Sequence, residues 1–238
     1  MIRRVTSVRI LLNALCFVGA WAAMTVTAVA QVYVGHEIPR GGNVEISGGV
    51  AWAAGYDLGS ISAEETRNTG TGTGSFVLFG ADSKMKPAAG VQAHIGVYLS
   101  SAVSLEGGVL GSRPHLSTEL SGDAESAPDL TADETLTQLI IDGSVLFHVT
   151  GASFGGGRGV PFVFGGGGYL RDAHEKNEVI DTGHEYHAGA GLHYWTGQGK
   201  HRVGIRADGG LSWRTGGADF SGTTRAVPTV TGSLTYLF

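Results

Sequence analysis

The chain has 238 residues, of which 40 are glycine and one is cysteine, and a formal charge of −5. That length suits one large β domain or two small ones. The acidic balance without a basic cluster argues against nucleic acid as a partner, and one cysteine excludes an internal disulfide framework.

Residues 1–30 read as a cleavable signal peptide. Arg3, Arg4 and Arg9 supply a positive start, residues 10–23 are mostly apolar, and Ala28-Val29-Ala30 gives a small-x-small cleavage site before Gln31. Its removal takes Cys16 and three arginines, leaving a mature chain without a thiol and moving the formal charge from −5 to −8. Beyond residue 30 no apolar run reaches helix-spanning length. Residues 31–42 read as a periplasmic lead-in, and residues 43–238 as one domain.

From Asn43 the side chains alternate, with Val44, Ile46, Val50 and Trp52 on one face and Glu45, Ser47 and Ala51 on the other. This is the first predicted strand. Residues 55–87 read as a long polar connection, in which 75–79 can add a short strand. The second strand, 90–99, sets Val91, Ala93, Ile95, Val97 and Leu99 against Gln92, His94 and Tyr98. In the third, Val103, Leu105 and Val109 oppose Ser104 and Glu106, and keeping both apolar sets on one face requires an odd, three-residue turn. Residues 111–134 form a second long, acidic loop. The fourth strand, 135–149, turns Leu139, Ile141, Val145, Phe147 and Val149 one way and Gln138, Asp142, Ser144 and His148 the other.

A glycine-rich turn at 151–158 precedes the fifth strand, 160–170, and residues 171–183 make a third charged loop. Strands six, seven and eight are expected at 184–195, 200–213 and 226–238, joined by a short turn at 196–199 and a loop at 214–225. Strand seven sets Val203, Ile205, Ala207 and Leu211 against Arg202, Arg206, Asp208 and Ser212. Strand eight sets Val230, Leu234, Tyr236 and Phe238 against Val227, Thr229, Thr231, Ser233 and Thr235.

Eight strands with alternating long and short connections predict an all-β, antiparallel, up-and-down transmembrane barrel, closed because lipid cannot satisfy a free strand edge. The face opposite the apolar stripe carries Glu45, His94, Glu106, Asp142, Glu185, His187, Arg202, Arg206 and Asp208. A dry soluble core does not accept that many ionisable groups. Two aromatic girdles are expected. Trp52, Tyr56, Tyr169, Tyr186 and Trp213 fall at the outer rim, and Tyr98, Phe147, Phe162, Tyr194, Trp195, Tyr236 and Phe238 at the inner one.

The last strand, ending Leu234-Thr235-Tyr236-Leu237-Phe238, resembles the C-terminal signature of bacterial outer-membrane β-barrel proteins, and the whole pattern resembles the eight-stranded OmpA/OmpX-type barrels. The resemblance implies an outer-membrane protein of a Gram-negative bacterium, exported with periplasmic chaperones. Its final strand (Leu234, Tyr236, Phe238) would be read by the barrel-assembly machinery, and its surroundings would be outer-membrane lipid and lipopolysaccharide.

The inward set is the candidate site. Glu106 is placed at or diagonal to His94, and Asp208 opposite or diagonal to His187. Five acids against two arginines suggest a hydrated, weakly cation-preferring lumen; a structural polar plug is the other reading. No cofactor or metal is expected. His184 and His187 point to opposite faces, and the glycine runs at 155–159 and 165–168 lack the G-K-[ST] of a phosphate loop. His115-Leu116-Ser117 has the spacing of a hydrolase pair but lies in a loop, so no enzyme is expected. A structural or surface-interaction barrel ranks first, a narrow passive channel second, and a lipid A-modifying enzyme a distant third.

Overall fold

The structure is a computed structural model and describes residues 38–238 apart from 70–71, 125–126, 175–178, 198, 200 and 219–221. The signal peptide expected at 1–30, and the lead-in up to residue 37, lie outside the described residues. Eight strands form a closed barrel: β1 (Val44–Ala53), β4 (Ala88–Tyr98), β5 (Val103–Ser112), β8 (Thr137–His148), β9 (Gly159–Ala173), β10 (Ile180–Thr196), β11 (Arg202–Gly216) and β12 (Arg225–Leu237). Every neighbour is antiparallel. The ring closes where β1 pairs β12, from Glu45↔Leu237 to Ala53↔Thr229.

Alternation decides what each face meets. Val91 and Leu234 are 69% and 66% exposed on the outside, whereas Glu45 and Arg206 are each 4% exposed inside. Ile46, Val50, Ile95, Val109, Ile141, Ile205 and Val230 continue the outer apolar belt. In water this arrangement is inverted: apolar area left exposed forgoes its burial free energy, and charges are buried at a cost. Lipid reverses the first term, and the closed ring satisfies every backbone group within the sheet. The barrel is of the membrane-spanning kind.

One end carries short turns. The Leu99 N–H donates to the Val103 carbonyl at 2.9 Å, leaving Ser100, Ser101 and Ala102 between them, the odd count that the alternation demands. Before β9 a 3-10 turn (Thr150–Ala152) runs into Gly155, Gly156 and Gly157, all with positive φ (59°, 81° and 79°). Three successive left-handed residues strongly favour glycine, which is the structural reason for that run.

The other end departs from expectation. The connections read as loops at 55–87 and 111–134 are largely strand: β2 (Tyr56–Thr69), β3 (Gly72–Met85), β6 (His115–Ser121) and β7 (Leu130–Thr135) form a four-stranded sheet in the order β2-β3-β6-β7. The short strand expected at 75–79 is part of the 14-residue β3. The β2–β3 hairpin continues β1 and β4, the β6–β7 hairpin continues β5 and β8, and the two join where β3 pairs β6 from Gly80↔Ser121 to Met85↔Leu116. These strands do not alternate regularly, and β3 carries the consecutive apolar run Phe76-Val77-Leu78-Phe79, so the period-two signal that marks a half-buried strand is missing. Leu58, Met85, Leu136 and Ala218, with Tyr56 and Leu116 against them, form a small apolar cluster in this region.

Candidate functional site

The inward positions carry charged groups and rings together with glycines, small polar residues and a few aliphatics such as Ile140 and Leu146. Towards the turn end they form a closed layer. Glu45 on β1 accepts from Tyr98 Oη on β4 at 2.9 Å, and its other oxygen lies 3.0 Å from His193 Nε2 on β10. His148 bonds Ser104 Oγ at 2.9 Å and stacks on Tyr98 with ring centroids 4.9 Å apart. His193 stacks on Trp195 at 5.4 Å and meets Phe162 at 4.8 Å. Arg202 lies over Trp195. Phe162, His193 and Trp195 are each 1% exposed, so this layer is packed as tightly as a soluble core.

Bulk on that scale fits a narrow barrel only where the neighbouring strand has no side chain. A Cβ at Gly204 would stand 2.7 Å from the Trp195 ring, and one at Gly191 would stand 2.5 Å from the Phe162 ring. The glycines thus set the internal cross-section.

Nearer the extended end the contacts are ionic. Arg206 donates to Glu106 at 2.5 Å and to Asp208 at 3.2 Å, and Thr231 Oγ1 donates to the other oxygen of Asp208. Arg214 donates to Glu185 at 2.8 Å and to Gln138 at 3.2 Å. His187 lies 3.4 Å from the second Glu185 oxygen and 2.6 Å from Ser144 Oγ. His94 contacts Ser47, and Gln138 carries the network on to Asp172, which also accepts the Ala218 N–H. A cavity of about 90 Å³ lies among Glu106, Asp142, Glu185, His187, Arg206 and Asp208. It is large enough for roughly six waters.

All nine luminal residues expected from the sequence, namely Glu45, His94, Glu106, Asp142, Glu185, His187, Arg202, Arg206 and Asp208, lie on the inward face. Of the finer expectations, one holds: Glu106 is diagonal to His94, since His94 pairs Gly108 and Gly96 pairs Glu106. Others need correcting. Asp208 is not beside His187: it pairs Gly191, and Ser212 stands opposite His187. The sequence puts Arg214 and Asp172 in loops, yet β11 and β9 run past them and turn them inward. The lumen therefore sets six carboxylates (Glu45, Glu106, Asp142, Asp172, Glu185, Asp208) against three guanidiniums (Arg202, Arg206, Arg214).

The aromatics divide. Trp52, Tyr186 and Trp213 are 45%, 67% and 37% exposed on the outer face, and Tyr194 faces the same way. Leu234, Tyr236 and Phe238 are likewise outward. Phe162 and Trp195, expected in the inner girdle, are luminal, and so is Tyr98. Trp195 shares its parity on β10 with Glu185 and His187, a signal that fixes its direction once those acids and bases are read as inward. Tyr56, expected at the outer rim, packs against the apolar cluster of the extension.

His115 lies on β6 and bonds Thr135 Oγ1 at 3.1 Å, while Ser117 bonds Asp133, so the two do not form a nucleophile–base pair. Among the described residues no three His, Cys, Asp or Glu side chains converge as a metal site needs.

No family model and no curated protein sequence matches the chain. Solved structures similar to it include the outer membrane protein OprG from Pseudomonas aeruginosa, at 13% identity and a TM-score of 0.49, covering 86% of this chain and 98% of that one. Another is the outer membrane protein AlkL, studied in DMPC lipid bilayers, at 15% identity and a TM-score of 0.35, covering 90% and 97%.

Proposed function

We propose that this protein is an integral outer-membrane barrel whose lumen is closed at rest and whose role is structural and interactive, exercised through the four-stranded extension. One observation carries the reading. The layer of Glu45, Tyr98, His148, Phe162, His193 and Trp195 fills the barrel section with side chains exposed by 6% or less, leaving no path for a hydrated ion. With the short turns at the periplasm, the extension faces outward, where long hairpins recognise partners. Leu234, Tyr236 and Phe238 on the lipid face of β12 are offered to the barrel-assembly machinery, after transit with periplasmic chaperones. No catalytic role is assigned.

A passive channel is the second reading, favoured by the polar cavity and the excess of luminal carboxylates. Planar-bilayer recording of the refolded chain separates the two. The expected result is no steady conductance in the natural sequence, and cation-selective conductance in the Phe162→Ala/Trp195→Ala variant. Steady cation-selective current through the unaltered barrel makes the channel reading the right one.

A further inference from the structure

On the outer wall near the extended end, the outward row Val50–Val91–Gly111–Leu139–Arg171 crosses five neighbouring strands. Val50 and Val91 are 63% and 69% exposed, and an added Cβ on Gly111 would meet nothing within 4 Å. The glycine therefore leaves a trough between its apolar neighbours. Val50, Val91, Gly111 and Leu139 line one continuous groove together with Arg113 and Arg171. Register places Arg113 one outward row above Gly111, level with Trp52 and Ala89. Arg171 stands one outward position above Tyr169. Strand spacing sets the two arginine Cα atoms about 12 Å apart, within joint reach of one headgroup.

Arginines elsewhere on the barrel are engaged: Arg206 and Arg214 hold carboxylates, Arg202 covers Trp195, and Arg225 donates to the Leu58 carbonyl. Among the described residues Arg113 and Arg171 have no such contact. Described acids of this end are engaged as well, Asp133 with Lys86, Glu134 and Asp181 with His174, and Asp172 with Gln138. Two free guanidiniums beside aromatic residues at a membrane rim, on an acidic protein and above an apolar trough, complement an anion attached to a hydrocarbon chain. We propose that this groove binds a phosphate-bearing lipid of the leaflet at the extended end, its phosphate held by Arg113 and Arg171 and one acyl chain lying over Gly111. Guanidinium forks match phosphate oxygens in pairs, and the trough adds apolar contact that free phosphate cannot use.

The test is native mass spectrometry of the refolded full chain in detergent micelles, with bisphosphorylated lipid A as probe and its dephosphorylated counterpart in parallel. The expected result is a one-to-one adduct with lipid A, weakened about thirtyfold in Arg113→Gln/Arg171→Gln, as two lost interfacial cation contacts of ordinary strength require. Lys84→Gln, which alters an exposed cation on β3, leaves it unchanged. Filling the trough with Gly111→Leu also weakens the adduct, and this variant carries the test should the double one lose its heat-modifiable folded band. Equal retention by the double variant or by Gly111→Leu overturns the proposal, as does equally strong retention of the dephosphorylated lipid. Displacement of the lipid by millimolar inorganic phosphate alone overturns the acyl-chain part.

Discussion

Arg206→Met tests whether the lumen is held together by charge pairing. Methionine keeps an unbranched apolar stem against Phe162, over whose ring the guanidinium sits at 4.9 Å, but removes the positive head. Glu106 and Asp208, with side chains 8% and 6% exposed, then lose their shared partner. Stripping one member from a buried ion pair costs about 3–5 kcal/mol, because the remaining charge is left desolvated. Two features place this case at the lower end, near 3 kcal/mol: Thr231 still donates to Asp208, and the adjoining 90 Å³ cavity lets water approach. Urea unfolding in phospholipid vesicles, read as a midpoint shift at unchanged slope, measures it. Adding Glu106→Gln and Asp208→Asn removes the orphaned charges and is expected to restore most of the loss. A single variant within about 1 kcal/mol of the natural protein, or a triple variant no better than the single, would refute the argument.

Three further outcomes follow from the same geometry. Ile141, 53% exposed midway along β8, faces the acyl chains, so Ile141→Lys is expected to cost about 2–4 kcal/mol in vesicles; a loss below about 0.5 kcal/mol means that this face does not meet hydrocarbon. Gly191→Val places methyl groups against Phe162 and the Asp208 Cβ, and overpacking of about 1–3 kcal/mol or more is expected as a lowered midpoint or a lost folded gel band; an unchanged midpoint contradicts close packing there. His174, beyond the membrane, bonds Glu134 at 3.0 Å and Asp181 at 2.9 Å; burial pushes its pKa down, but the two carboxylates outweigh this and hold it above the usual 6.5. A raised folded value means that the stabilisation is complete below pH 6.5 and disappears as pH climbs through the folded pKa. The urea-midpoint difference between the natural protein and His174→Gln should shrink across that window, and a difference that widens with pH contradicts the clamp.

The eight barrel strands were legible because each has two unlike environments, and the sequence alternates to match. Glu45 between Val44 and Ile46, or Arg206 between Ile205 and Ala207, states the direction of its side chain outright. The extension was not legible, since its strands carry no regular alternation: β3 holds the consecutive apolar run Phe76-Val77-Leu78-Phe79, and the small cluster of Leu58, Met85 and Leu116 takes too few positions to impose one. Phe162 and Trp195 were misassigned for a different reason. An aromatic ring is acceptable both at a membrane interface and in a plug, so residue type alone says nothing, and only strand parity decides. Arg214 and Asp172 were lost at strand ends, where apolar neighbours give out before the hydrogen-bond ladder does.

The four staves β8, β5, β4 and β1 are contiguous, and they alone grow upward into the β7-β6-β3-β2 sheet. With 14 residues, β2 projects as much as about 45 Å of chain. Among the described residues the mouth is therefore lopsided, with a tall parapet of paired strands above β1, β4, β5 and β8. A bulky visitor approaching over that flank meets the parapet before the opening.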